Sequence, residues 1–313
     1  MNEQQKRQLL AFYGEKDENG VSNFEKAASR SKVIRRIATT SKDRSFEDAD
    51  APCAPGEYPV GMVVKDDRLI GLGIHIFNED VYPLQSFEIY LRGCDLFGHL
   101  DLSGCSDMVF LDLYNNRVQS VTLGEMASMR ILGLQNNQIS ALDPRGLPVC
   151  QGIDVGKNRL TALDVSQNAE LVELYINDNA FTEIDLTHNP KLKYFYCHNN
   201  RISVLDATRC PLLRHLNATG NPMREIRALA PQRSDGAPLV LTAGSGGFVG
   251  LKFNPVYNAQ WKETGEWQQS YYAYPQEGHA FAGWRDETGA LVSTAAAWVD
   301  EYGASRVLTA EFA

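Results

Sequence analysis

Cys197 and His198 are adjacent in the chain, and a thiolate beside an imidazole is the smallest pairing that performs nucleophilic chemistry. A second candidate is a row of carboxylates, Asp101, Asp143, Asp164, Asp185 and Asp206, followed four residues later by Cys105, Leu147, Asn168, Asn189 and Cys210. Carboxylates stacked at strand spacing offer oxygen ligands to Ca²⁺, or else they cap turns. A third is Gly244-Ser245-Gly246-Gly247, which has the glycines of a phosphate loop but lacks its lysine. The sequence contains no Cys-x-x-Cys, His-Glu-x-x-His or Gly-x-Ser-x-Gly. Which of these residues can act together depends on the elements that carry them.

Those elements repeat. Asparagines fall at Asn116, Asn137, Asn158, Asn179, Asn200 and Asn221, each 21 residues after the last. Five and three residues before them stand Leu111/Leu113, Leu132/Leu134, Ile153/Val155, Leu174/Ile176, Phe195/Cys197 and Leu216/Ala218. Two residues after them come Val118, Ile139, Leu160, Phe181, Ile202 and Met223. An earlier copy, one residue longer, is read in Ile89, Leu91, Cys94, Leu96, Leu100 and Leu102, with Cys94 in the asparagine place. A single copy holds too few apolar residues to bury alone, so copies must stack and share a core. The apolar-x-apolar run alternates with period two, so each copy predicts a short strand and successive copies a parallel sheet. An inward asparagine amide satisfies backbone N–H and C=O groups where each strand ends, which makes the six asparagines a structural ladder.

This phasing dissolves the first candidate. Cys197 occupies an inward apolar place and His198 an outward one, so they face opposite sides of the strand. Cys150 also falls on an apolar place, and the six cysteines read as free thiols rather than a disulfide framework, with a Cys94–Cys105 bridge left open. The carboxylate row reads as turn capping on the convex side. No catalytic residue, metal site or cofactor is predicted.

The outward residues are then the informative ones. Successive copies present Phe110, Asp112 and Tyr114; Ile131, Gly133 and Gln135; Gly152, Asp154 and Gly156; Glu173, Tyr175 and Asn177; Tyr194, Tyr196 and His198; His215, Asn217 and Thr219. Tyrosine combines a large contact area with a polar tip at small entropic cost, which suits a binding surface. Phe110, Asp112, Tyr114, Tyr175, Tyr194, Tyr196, His198, His215 and Asn217 are therefore the candidate ligand-binding residues, centred on the last three copies and flanked by Lys193 and Arg214. Glycines flatten the middle copies.

The pattern resembles the leucine-rich repeat family in its short bacterial, internalin-like form, over about 140 residues. Leu100-Asp101-Leu102-Ser103 matches the run that closes such copies. The resemblance implies an α/β-type, right-handed solenoid of about seven repeats with a parallel concave sheet, a non-catalytic recognition role, and secretion or surface display. Near the C-terminus, Gly278, Phe281, Gly283, Trp284, Asp286 and Gly289, closed by Leu308 to Phe312, resemble the B-repeat of internalin-type surface proteins. That likeness implies a spacer or accessory β module in which Trp284 is core.

The ends complete the layout. Ser22-Asn23-Phe24-Glu25 reads as a capping box opening a helix through Ile37, residues 44–58 as a linker or loop, and residues 58–76 as a hairpin that adds to or caps the first repeat. Residues 231–238 form a turn-rich boundary. The expected domains are 1–86, an N-terminal helical and hairpin cap; 87–230, the solenoid; and 238–313, a small all-β module. With 43% hydrophobic residues and a net charge of −9, the chain does not suit phosphate neutralisation along nucleic acid, and no window is apolar enough to span a bilayer. No secretory leader is visible at the N-terminus, so a cytoplasmic scaffold is the alternative to a secreted monomer that binds a protein or a glycan.

Overall fold

The computed structural model describes residues 3–23, 25–27, 62–65, 68–72, 93–229, 237–260, 262–300 and 307–313. The chain forms two compact units, Met1–Arg159 and Leu160–Ala313. The helix expected through Ile37, the 44–58 loop and the strand residues Ile89 and Leu91 lie outside the described residues.

The first unit begins with helix α1 (Glu3–Gly14), whose Leu9, Phe12 and Tyr13 are buried. A loop follows, and then Ser22 and Glu25 exchange hydrogen bonds: the Glu25 carboxylate accepts from the Ser22 backbone N–H at 2.7 Å, and the Ser22 hydroxyl accepts from the Glu25 N–H at 3.2 Å. This reciprocity satisfies two donors that a helix start leaves unmade. Strands β1 (Met62–Lys65) and β2 (Arg68–Leu72) pair antiparallel. After them come β3 (Phe97–Asp101), β4 (Phe110–Asp112), β5 (Arg117–Thr122), β6 (Ile131–Gly133) and β7 (Gly152–Asp154). On one side β2, β4, β6 and β7 run parallel, with Phe110 opposite Ile131 and Ile131 opposite Gly152. That offset is the 21-residue period expressed as register. On the return side β3 pairs parallel with β5.

Six full copies carry the asparagine; of the earlier copy with Cys94 in that place, Cys94 to Leu102 are among the described residues, and the strand beside β4 is β2 of the hairpin. The N-terminal segment covers this first turn. Asn23, fully buried, donates to the carbonyls of Phe12 (2.9 Å) and Phe97 (2.8 Å) and accepts from the Phe97 N–H (3.0 Å).

The second unit contains β8 (Glu173–Tyr175), β9 (Tyr194–Tyr196), β10 (Val204–Ala207), β11 (His215–Asn217), β12 (Glu225–Ala228), β13 (Leu239–Ala243), β14 (Gly247–Tyr257), β15 (Glu263–Pro275), β16 (Phe281–Arg285), β17 (Leu291–Ser293), β18 (Ala297–Asp300) and β19 (Val307–Phe312). Strands β8, β9 and β11 are parallel in the same register as the copies of the first unit. The sheet does not stop there: β14 pairs antiparallel with β11, β15 with β14 and β18 with β15. The return-side pair β10 and β12 likewise continues into β13, β19, β16 and β17. The segment after Leu239 is thus woven into both sheets of the last repeats. Trp284, fully buried, packs between Tyr271 and Phe281 and donates its indole N–H to the Ala295 carbonyl at 3.0 Å.

The architecture is a leucine-rich-repeat solenoid. Each copy packs its apolar places inward, and Leu111, Leu113, Leu132, Leu134, Ile153, Leu174, Ile176 and Phe195 are all completely buried. The amide of Asn137 illustrates the ladder: its Oδ1 accepts from the Val118 N–H at 2.9 Å, and its Nδ2 donates to the Leu113 and Leu134 carbonyls at 2.8 and 3.0 Å. Asn116, Asn158, Asn179, Asn200 and Asn221 each accept from a backbone N–H of the copy before and donate to carbonyls of their own strand end.

The residue before each of these asparagines has a left-handed backbone: Asn115, Asn136, Lys157, Asp178, Asn199 and Gly220 have φ between 53° and 66°. Asparagine and glycine adopt this region at least cost, which is why paired asparagines recur. On the return side, the Asp101, Asp143, Asp164, Asp185 and Asp206 carboxylates each accept the N–H two residues on, at 2.9 to 3.1 Å. The row therefore closes Asx turns.

Candidate binding surface

Alternation along three-residue strands places the candidate residues on the face opposite the core. In the first unit, Phe110 and Tyr114 are half-buried, while Asp112 is buried and its Oδ1 accepts the Tyr114 N–H at 2.9 Å. In the second unit, Tyr175, Tyr194, Tyr196, His198 and Asn217 are half-buried and His215 is buried. Strands about 4.8 Å apart force ring against ring, so outward side chains cover one another. Outward is therefore not the same as exposed.

The second unit's residues form two groups of packed rings on neighbouring strands. Tyr175 meets Tyr196 edge to face at 5.2 Å between centroids, and Tyr196 meets His198 at 6.3 Å. Tyr194 stacks on His215 at 4.3 Å. His215 in turn lies beneath Tyr257, with the phenol oxygen 3.3 Å from Nε2. Burial, with Arg214 adding to it, pushes the His215 pKa down to about 4, so the imidazole is neutral at physiological pH. Burial pushes Tyr194 up to about 12 and raises Tyr196 as well, with Tyr257 and Glu173 adding to both. Both phenols therefore keep their protons as donors.

Several members of this surface come from outside the repeat pattern. Arg214 pairs with Glu263 and lies over the Trp267 ring, 5.6 Å from its centroid. Tyr257, Glu263 and Trp267 all belong to the hairpin of β14 and β15. Nothing in a 21-residue self-comparison points to them; the signal available was the density of aromatic residues after Ala237. Glu173, an outward residue of the fourth copy, is buried and accepts the Tyr175 hydroxyl at 3.3 Å.

The thiols play no part in this surface. Cys94, Cys105, Cys150, Cys197 and Cys210 are buried and none is in a disulfide, so the Cys94–Cys105 bridge left open by the sequence is not formed. Burial pushes Cys105 up to about 11, Cys150 and Cys210 up to about 12, and Cys197 higher still, which removes their thiolate character. Cys197 is fully buried while His198, just after β9, is half-buried. Among the described residues no cluster of three or more His, Cys, Asp or Glu is placed to hold a metal ion, and no helix is long and apolar enough to cross a membrane.

No protein-family model matches the chain, and no curated protein matches it. Similar solved structures include a leucine-rich-repeat protein of Leptospira interrogans, 19% identical, with 42% of this chain and 41% of that one covered and a TM-score of 0.32. Another is the functional domain of InlJ from Listeria monocytogenes, which includes a cysteine ladder; it is 16% identical over 67% of this chain and 54% of that one, TM-score 0.28. A third is the ectodomain of the Arabidopsis thaliana membrane receptor kinase GASSHO1/SCHENGEN3 in complex with Casparian strip integrity factor 2, 16% identical over 63% and 27%, TM-score 0.37. The chain spans between about a quarter and about half of the length of these structures.

Proposed function

We propose that this chain is a non-catalytic recognition protein whose concave face in the second unit binds a protein ligand. One observation carries the reading: two aromatic groups, Tyr175 with Tyr196 and His198, and Tyr194 with His215 and Tyr257, lie on neighbouring strands on the side of the sheet away from the core. Such groups offer large contact area already ordered before binding. Tyr257 and Trp267 extend them onto the hairpin of β14 and β15, which therefore acts in recognition as well as in closing the fold.

The test is capture of partner from cell-envelope or host-cell material by the wild-type chain, by Tyr194→Ala/Tyr196→Ala and by Tyr194→Phe/Tyr196→Phe. The alanine pair should lose capture and the phenylalanine pair should retain most of it. Deleting one ring of an aromatic pair costs about 0.5–1.5 kcal/mol beyond area, so the alanine pair should fold with a modestly lower melting temperature. Capture of a polysaccharide instead of a protein would change the ligand class, and unchanged capture by the alanine pair would sink the reading. The five buried thiols, none of them bridged, favour a second setting, a scaffold in a reducing compartment using the same face. Fractionation of the source cells separates the two: secreted or surface-exposed protein supports the first, and confinement to the cytosol supports the second.

A further inference from the structure

Of all the asparagines in the chain, Asn19 alone is followed by glycine. It sits with Gly20 in the loop between α1 and the capping box, and both residues are exposed. Among the described residues the Asn19 side chain has no hydrogen-bond partner; only its backbone N–H is engaged, donating to Asp17 Oδ1 at 2.9 Å. Gly20 has a left-handed backbone at φ 77°, and no heavy atom lies within 4 Å of where a Cβ would stand. One bond restrains its amide, which donates to the Asp17 carbonyl at 2.9 Å. Asn137 is the opposite case, buried and with both side-chain amide atoms bonded.

We propose that Asn19 is a site of spontaneous deamidation, and that its conversion to isoaspartate loosens the N-terminal cap of the solenoid. The Gly20 amide nitrogen, having given its proton to hydroxide, attacks Asn19 Cγ. The new C–N bond closes a cyclic imide as the Cγ–Nδ2 bond breaks, and ammonia leaves after taking a proton from water, which restores the hydroxide. Water then opens the imide: attack at Cγ gives aspartate, and attack at the backbone carbonyl gives isoaspartate, with the main chain rerouted through the side chain. Overall one water is consumed and one ammonia released, with no oxidant or reductant. Reaching the attacking geometry means breaking the bond to the Asp17 carbonyl and turning the backbone. Glycine permits the turn, and local opening costs little in an exposed loop.

The consequence follows from what the loop holds. Asp17 Oδ1 accepts from the N–H groups of Asn19 and Val21, at 2.9 and 3.0 Å, while Oδ2 lies 2.8 Å from the Lys26 ammonium. That ammonium also reaches Asp95 of the first repeat copy, at 2.6 Å. An isoaspartate link adds a methylene to the main chain between the two N–H groups, so one carboxylate oxygen can no longer hold both, and the turn that aims Asp17 at Lys26 is lost. The reaction also leaves a new carboxylate close in the chain to Asp17 and Glu18, and like charges repel.

The test incubates the full chain at mildly alkaline pH and samples it over time by peptide mapping with mass spectrometry. Asn19 should convert before any other asparagine, with isoaspartate the main product, and faster as the pH rises. Asn19→Gln, whose longer side chain closes the imide ring poorly, should convert at least tenfold more slowly. Amide exchange is then followed on the aged protein: protection in α1 and β3 should fall several-fold in the wild type and keep its starting level in Asn19→Gln. Freshly prepared Asn19→Asp, which adds the charge without rerouting the chain, should lose less protection than the isoaspartate form. Earlier conversion of another asparagine, equal rates in wild type and Asn19→Gln, an isoaspartate form as protected as the fresh chain, or equal loss in fresh Asn19→Asp each overturns the proposal.

Discussion

A ladder asparagine and the residue before it look alike in the sequence and do opposite things. Asn137 is specified by its side chain, which satisfies the Val118 N–H and the Leu113 and Leu134 carbonyls within the fold. Its neighbour Asn136 is specified by its backbone, at φ 56°. Substitution should therefore separate them. Asn137→Leu leaves a buried donor and two acceptors without their partner and should cost on the order of 1–3 kcal/mol for the orphaned groups, read as a lower urea midpoint. Lys157→Gly, at φ 53°, removes a left-handed penalty of about 1–2 kcal/mol, offset in part by glycine's entropy, and should leave the midpoint equal or higher. A midpoint unmoved by the first change, or clearly lowered by the second, would overturn this division of labour. The 21-residue period reveals the ladder because asparagine recurs there in all six full copies. The left-handed positions hold Asn, Lys, Asp and Gly in turn, so identity does not mark them; only conformation does.

The N-terminal cap shows how one element is tied to the next by a single ammonium group. Lys26 sits in the turn of helix opened by Ser22, with its ammonium 2.8 Å from Asp17 in the loop below and 2.6 Å from Asp95 in the first repeat copy, and 5.1 Å from the Phe97 ring centroid. Asp95 is also gripped by Arg117. Lys26 holds Asp17 below the ordinary carboxylate range. At Asp95, burial pushes upward, but Arg117 and Lys26 outweigh it and the net shift is also downward. For Lys26 burial works against the charge, yet Asp17 and Asp95 raise the pKa above its ordinary value.

The signs then set a window. Depressed carboxylates stabilise the fold above their unfolded pKa near 4 and lose that contribution as pH falls through the folded values. The raised lysine contributes fully below its unfolded value near 10.4 and loses its share as pH climbs through the folded one. Lys26→Met should accordingly lower the melting temperature across neutral pH and converge on wild type as the pH drops toward 2. A difference that persists undiminished at low pH would show that Lys26 acts through packing on Phe97 alone. The capping box is legible in four residues because its partners are local. The tie to Asp95 is not legible, because 69 residues separate the two charges.

At the scale of the molecule, periodicity ends before the architecture does. Self-comparison detects identity at fixed spacing, so it sees a finished solenoid at Ile226 and a foreign segment after residue 238. Sheet pairing needs no repeat: it requires only an open edge of N–H and C=O groups and a strand to meet it. Strand β14 meets the edge of β11, with Leu216 opposite Phe253, and β13 meets β12, with Ile226 opposite Leu241. The Ala218 and Ala243 N–H groups donate across these seams, to the carbonyls of Leu251 and Arg224. The C-terminal strands therefore do for the last copy what the N-terminal segment does for the first.

A chain ended at Ala228 tests this directly. It would uncover Leu216, Met223 and Ile226, all buried in the intact chain, and leave two sheet edges unpaired. In a stack held by nearest-neighbour interfaces, loss of the terminal interface weakens the copies beside it first. Amide-exchange protection should fall most in β11 and β12, less in β9 and β10, and least in β4 and β6, with self-association at micromolar concentration. Were the C-terminal strands only a spacer hung on a finished solenoid, protection in β9 to β12 would match the full chain. The same truncation removes Tyr257, Glu263 and Trp267, so any ligand recognised through the hairpin would lose affinity beyond what the loosened copies explain. Adding Tyr257→Ala and Trp267→Ala to the full-length chain, where the edges stay paired, separates that share.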